Sequence, residues 1–296
     1  MQVFGIDVSK WQGDFDFNLA KAEGVKFVIM RGAYALSKDT KFESYYKACK
    51  ALKLPVGCYH YSMAKSVTEA KNEANFLINN VLKGKQFEYP IYMDVEDKVQ
   101  LNLGKDLLTN IVIAFCDTLE KAGYYVGIYS STSFFTTYLN ESKLTKYDKW
   151  VAQWNNVCTY KGKYGMWQYG GETNYIRSNK IANVTCDQNY CYVDYPTIIK
   201  KNKLNGFNVK LKTIDELAKE VLDGLWGVGE ERKKNLTSAG YNYTDVQKRV
   251  NELVKSKTYT VKSGDTLTKI AKANNTTVDK IVADNNLIYT GLKLNL

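Results

Sequence analysis

From residue 1 to about 199 the chain alternates short, β-rich apolar runs with helix-length segments, a pattern that fits repeated β/α units around a parallel sheet. The runs in order are Val3–Asp7, Phe27–Arg31, Pro55–Tyr61, Pro90–Asp94, Tyr125–Tyr129, Lys149–Trp154, Gly165–Tyr169 and Val184–Asp187. Segments such as Lys41–Leu52 and Thr68–Leu82 separate the early runs, and Ser66 with Glu69 offers the second a capping box. Between the last three runs the gaps are short and rich in Tyr and Gly, so those strands are predicted to connect without helices. The expected fold is an α/β barrel of eight strands and five helices.

In such barrels chemistry gathers at the C-terminal ends of the strands. Asp7, Asp94 and Asp187 each close an apolar run, and Glu96 follows Asp94 by two positions. Strand alternation puts Asp94 and Glu96 on one face with Cα atoms roughly 6–7 Å apart. Crowded carboxylates raise one another's pKa, so one keeps its proton near neutrality while its neighbour stays charged. That is equipment for breaking a glycosidic bond. Taken singly, each Asp reads equally well as a helix cap or turn former. Closure of strand eight against strand one brings them to one mouth. His60, the single histidine, is expected to be a hydrogen-bonded barrel residue rather than a base.

A net charge of +10 implies attraction to something anionic. The chain has no Gly-rich phosphate loop, zinc-finger spacing or arginine-rich arm, which argues against nucleic acid as a partner and leaves a phosphate-rich bacterial wall. Among 23 tyrosines and 5 tryptophans, Tyr34, Tyr61, Tyr129 and Trp154 fall near strand ends, where stacking on sugars and simple packing are both open. No run of about 18 apolar residues is present, so no spanning helix or membrane insertion is expected. The opening Met1–Asp7 enters a strand directly without a signal-peptide pattern, so a soluble cytosolic product is expected. The 6 cysteines lack a CxxC, and reduced, buried thiols are expected over a Cys186–Cys191 bridge or a metal site.

Several stretches in order resemble glycoside hydrolase family 25, the lysozymes that cut between N-acetylmuramic acid and N-acetylglucosamine. They are Phe-Gly-Ile-Asp7-Val-Ser-Lys-Trp-Gln, Val-Gly-Cys-Tyr-His60-Tyr, Ile-Tyr-Met-Asp94-Val-Glu96, Gly-Ile-Tyr129-Ser, Trp-Gln168-Tyr and Cys-Asp187-Gln-Asn. The resemblance implies a flattened, TIM-like (β/α)5(β)3 barrel over 1–199. It implies Glu96 as general acid/base, Asp94 beside it, and Asp7 and Asp187 completing an acidic pocket, with Gln168 among the substrate contacts and no cofactor or metal. Asp194 competes with Asp187 for the fourth place; Asp187 is preferred because it directly follows the apolar run. A retaining reaction needs carboxyl groups about 5–5.5 Å apart, whereas a same-face pair suits attack by the sugar's own acetamido oxygen, which is favoured here.

Past Ile199 the composition turns polar and basic, and 200–212 reads as a linker. A capping box at Thr213 and Glu216 opens a first helix, a second is expected from Glu230 to Ala239, and a third from Thr244 with Gln247 at its capping-box position. The resulting three-helix bundle over 213–254, with Trp226, Arg232 and Tyr241, resembles the small wall-binding repeats of some phage lysozymes. Trp226 is the candidate contact, with a core-plugging role equally open. Residues 258–296, with Gly264-Asp265-Thr266 opening a helix and Ile270 on its inner face, resemble a βααβ LysM module, which implies binding to N-acetylglucosamine-containing glycan. These resemblances lead to a phage endolysin that accumulates in the cytoplasm of the infected bacterium and is released to peptidoglycan. A non-catalytic glycan binder and a chitinase-like enzyme are the rival readings.

Overall fold

The computed structural model describes residues 2–207, 212–255 and 259–285. The chain divides into two compact units, with the break between positions 211 and 212. In the first unit eight strands close a barrel: β1 Val3–Val8, β2 Phe27–Tyr34, β3 Val56–Tyr61, β4 Ile91–Asp94, β5 Val126–Ser131, β6 Asp148–Ala152, β7 Met166–Gly170 and β8 Asp187–Cys191. Neighbours from β1 to β7 pair in parallel. Most of these parallel steps carry a crossover helix: α1 Phe17–Ala22, α2 Phe42–Ala51, α3 Val67–Leu77, α4 Lys105–Lys121 and α5 Thr132–Tyr138 follow the first five strands.

The last strand departs from the sequence expectation. Val184–Thr185 pairs with Lys180–Ile181 in a small separate hairpin, and β8 begins at Asp187 instead of ending there. It runs antiparallel to both β7 and β1. Its first residue therefore lies at the same end of the barrel as the last residues of the parallel strands. Asp187 stands directly opposite Asp7 in the register.

The strands are apolar on both faces because each face has its own core. Phe27, Ile29, Tyr92, Tyr129, Trp150 and Met166 fill the barrel, while Val28, Met30, Met93, Ile128 and Val151 pack outward among helix residues. The aromatic interior needs room from its neighbours: a Cβ on Gly127 would sit 2.4 Å from the Tyr92 ring. At the end away from the acids, α6 Tyr195–Lys201 contributes Tyr195 and Ile199 to the interior cluster. Below it Asn205 donates to the carbonyls of Phe87 and Tyr89 and accepts from Tyr125 N–H.

His60 faces outward, fully buried, with Nε2 3.0 Å from Glu73 Oε2. Glu73 also accepts from Ser62 Oγ and Met63 N–H, so the histidine belongs to a structural network remote from the acids. The cysteines are free, and all but Cys158 are buried. Cys186 and Cys191 bracket β8, roughly 16 Å apart at the strand rise, beyond disulfide reach.

In the second unit α7 Ile214–Leu222, α8 Gly229–Ser238 and α9 Tyr243–Lys255 bury Leu217, Ala218, Val221, Leu236, Val246 and Val250. The Thr213–Glu216 capping box forms. The third helix starts one residue earlier than expected because the Asn242 side chain accepts from Thr244 N–H; Gln247 instead accepts from Arg232 and donates to Asn251. Farther on, α10 Leu267–Ala273 and α11 Val278–Asn285 supply the two helices of the expected βααβ unit. Thr266, not the Gly264-Asp265 pair, caps α10; Asp265 closes the preceding turn on Lys262 N–H and Tyr259 OH. No strand forms among the described residues 259–285, and the expected closing strand in 286–296 lies outside them. No helix among the described residues is long and apolar enough to cross a membrane.

Gly127→Ala should destabilise the barrel by about 1–3 kcal/mol, the usual cost of overpacking a filled core. Urea unfolding checks this, with exposed Lys47→Ala as a control expected near zero.

Candidate active site

The barrel mouth opens into a cavity of ≈ 260 Å³ lined by Asp7, Val8, Ser9, Trp11, Gln12, Arg31, Tyr59, Tyr61, Asp94, Glu96, Tyr129, Trp150, Gln168 and Asp187. The four acids singled out in the sequence thus share one cavity. Strand β4 ends at Asp94, but its ladder runs on, since Val95 N–H bonds the Tyr129 carbonyl. Val95 is fully buried on the outer side, so Glu96 returns to the mouth above Asp94. Asp7 and Asp187 are cross-strand partners, with Cα atoms about 4.5–5.5 Å apart. Gly171 leaves space for the Asp187 carboxyl, because a Cβ there would sit 1.8 Å from its Oδ1.

Gln168 orders the floor of the cavity. Its Oε1 accepts from Tyr129 OH at 2.9 Å and Trp154 Nε1 at 3.0 Å, which turns Nε2 toward Asp7 Oδ2 at 3.0 Å. Asn189 donates to the same Asp7 oxygen at 2.8 Å while accepting from Trp150 Nε1 at 2.8 Å. Asp94 has no such support: its Oδ1 is buried without a hydrogen-bond partner.

Burial is the largest influence on every one of the four acids, and mutual repulsion reinforces it for three. Asp7 is pushed up to about 6 by burial, against the pull of Asn189 and Gln168. Asp187 reaches about 8 through burial, Asp7, Glu96 and Glu172. Asp94 lies well above the usual carboxylate range through burial, Glu96 and Asp7. Glu96 is open to solvent at the cleft rim, yet protein surrounds enough of its carboxyl that desolvation, then Asp7 and Asp97, raise its pKa. The cluster can therefore hold protons at neutral pH where isolated carboxyls cannot.

Of the expected sugar contacts, Tyr61, Tyr129 and Gln168 line the cavity. Tyr34 is exposed beside it and stacks on Tyr61 with centroids 5.1 Å apart, and Trp154 touches the site through Gln168. Asp194 is elsewhere: it is exposed and caps α6 through Thr197 N–H. Sequence reasoning missed Arg31, Tyr59 and Asn189 as site residues, although alternation puts Tyr59 on the face of Tyr61 and Asn189 on the face of Asp187. It also missed Trp11, 76% exposed on the cavity rim. In the second unit Trp226 is half-buried against the bundle core, edge-on to Tyr241 and bonded to Glu220. Arg232 bonds Gly227 O and Gln247.

Comparison with known proteins gives three family matches along the chain: "Glycosyl hydrolases family 25" over residues 6–177, "CW_7 repeat" over 215–254 and "LysM domain" over 259–294. A curated relative, the lysozyme of Streptococcus phage Cp-7, is 27% identical over 259 residues, covering 84% of this chain and 69% of its own. The modular autolysin LytC of Streptococcus pneumoniae, solved with a synthetic peptidoglycan ligand, superposes with a TM-score of 0.56 at 26% identity over 64% of this chain. This chain spans only 47% of LytC. The CTP1L endolysin shares the fold, with a TM-score of 0.58 at 19% identity over 86% of this chain and 99% of its own.

The raised Asp187 fixes the sign of a pH effect on stability. Between an unfolded value near 3.9 and the folded value of about 8, the folded state holds a proton the unfolded state has released. Stability therefore falls as pH rises through that window. Asp187→Asn should flatten this fall, gaining about 1–2 kcal/mol over the parent at pH ~8.5 and much less at pH ~4. Chemical denaturation at the two pH values measures it.

Proposed function

The chain belongs to glycosyl hydrolases family 25, and on that premise we propose that it is an N-acetylmuramidase, cutting peptidoglycan between N-acetylmuramic acid and N-acetylglucosamine as a phage endolysin. The observation that carries the reading is one cavity holding Asp7, Asp94, Glu96 and Asp187, with burial and like charge raising the carboxyls.

In this reading Glu96, at the open rim and protonated, gives its proton to the glycosidic oxygen as the bond to the anomeric carbon breaks. The 2-acetamido oxygen of the muramic acid residue attacks that carbon from the opposite face, and ionised Asp94 accepts the acetamido N–H and balances the charge that forms. Ionised Glu96 then takes a proton from water, whose oxygen adds to the anomeric carbon and restores the acetamide. Asp7 acts by its field: once ionised, it strengthens the hold of Glu96 on its proton and stabilises positive charge at the sugar ring, while Asp187, which keeps its proton near neutrality, completes the acidic wall of the cavity. Tyr61, Tyr129, Trp154 and Tyr34 flank the path of a glycan strand.

The tail modules hold the enzyme on its polymer. Trp226, with exposed Leu225 and Val228 in the same loop, is the contact of the CW_7 repeat, with Arg232 and Tyr241 supporting it. The turn at Gly264, Asp265 and Thr266 presents the LysM part to glycan. Weak modules on short linkers raise the local substrate concentration without touching the cut site.

Glu96→Gln should lower the rate of peptidoglycan cleavage by about 10²–10⁴-fold with the fold intact, whereas Asp194→Asn should change it less than about threefold, Asp194 being a solvated helix cap. Release of reducing-end muramic acid measures both, and reducing-end glucosamine as the product would mean another bond is cut. In the full chain, Trp226→Ala should weaken sedimentation with purified peptidoglycan while leaving cleavage of soluble glycan fragments unchanged.

A further inference from the structure

One buried ion pair at the mouth has no part in the mechanism above. Arg31 is near the end of β2, and its Nε donates at 2.7 Å to Asp39 Oδ2, with side chains 9% and 1% exposed. Asp39 also accepts from Lys10 N–H at 3.1 Å through that oxygen and from Lys41 N–H at 2.9 Å through the other. One carboxylate thus ties together the β1 loop that carries Trp11, the end of β2 and the start of α2. Its partner faces the cleft: Arg31 lines the cavity, and it is the one cation among the described lining residues. Among the described residues its Nη atoms have no hydrogen-bond partner, and Asp94 Oδ1 across the cavity is likewise unpaired.

We infer that Arg31, clamped by Asp39, is the positioning residue that favours the ionised form of Asp94 against burial and the neighbouring acids. The inference rests on the muramidase reading for the importance of an ionised Asp94. The groups that face Asp94 are Glu96 and Asp97 from its own loop, Asp7 from β1, Arg31 from β2, Tyr59 and Tyr61 from β3, and Tyr129 from β5. Asp187 on β8 is itself raised by Asp7 and Glu96 and is not among the groups that act on Asp94. The acids all oppose ionisation of Asp94, and Arg31 pulls the other way. The clamp matters because a free arginine could turn out toward water; fixed at Nε, its two remaining nitrogens stay at the cavity wall.

The sign follows directly. Without the Arg31 charge, Asp94 protonates at higher pH, so the acid limb of kcat/KM moves upward, while the alkaline limb, set by loss of the Glu96 proton, stays. The parent chain, Arg31→Met, Arg31→Lys and Asp39→Asn are compared on soluble peptidoglycan fragments across pH about 4–9, with melting temperatures to check folding. Arg31→Met should shift the acid limb by about one unit or more, giving about a tenfold loss below the limb and little at the plateau. Arg31→Lys and Asp39→Asn, which keep a cation but loosen it, should shift in the same direction by less. A uniform, pH-independent loss in the folded variants, or no change, overturns the inference. The same shift is read without substrate from the carboxyl ¹³C titration of Asp94 in the parent and Arg31→Met or Arg31→Lys. An unmoved midpoint sinks the clamp even in an active enzyme. A moved midpoint in a protein that leaves peptidoglycan intact upholds the clamp and removes the muramidase reading.

Discussion

Pairing of β8 against β1 in the antiparallel sense is the constraint on which the rest of the first unit depends. It closes the barrel, so no strand edge is left between the first and last elements. It also reverses the last strand, so that Asp187 meets Asp7 at the mouth and Cys191 lies at the opposite, sealed end. A parallel β8 would have required another long crossover and would have put its C-terminal residues, not its first one, beside the acids. The three later strands without helices leave the mouth lined by loops and aromatic side chains on that side.

Gathering carboxyls in a small cavity works against stability, since each is taken from water and repels the others. The structure offsets this unevenly. Asp7 has two amide donors, themselves locked by Tyr129, Trp154 and Trp150. Asp187 has space made by Gly171. Asp94, the most deeply enclosed, has only the field of Arg31 to favour its charge. Such an arrangement is a site selected for reactivity, where a more stable barrel would carry fewer charges.

The second unit works on different principles. Its bundle is small, with a core of six buried residues, and its helix ends are fixed locally by Thr213, Asn242 and Thr266. The same compactness explains why Trp226 is half-buried: in so small a bundle a large aromatic serves the core and the surface together.

The sequence by itself determined the first seven barrel strands and their order, the five crossover helices, the acids at the mouth and the hydrogen-bonded place of His60, because these follow from local periodicity and from residues that cannot be accommodated in an apolar core. Helix starts were legible where the cap was a consecutive box, as at Thr213, and shifted by a residue where the cap came from a neighbour, as at Asn242. Tertiary structure alone decided the direction of β8, because apolar alternation has the same period whichever way a strand runs. It alone brought Arg31 to the site, since the inward face of its strand is set by register against neighbouring strands. It alone sent Asp39 to Arg31 and left Asp194 on a helix cap, because which acid meets which cation depends on contacts between elements that one-dimensional spacing does not contain.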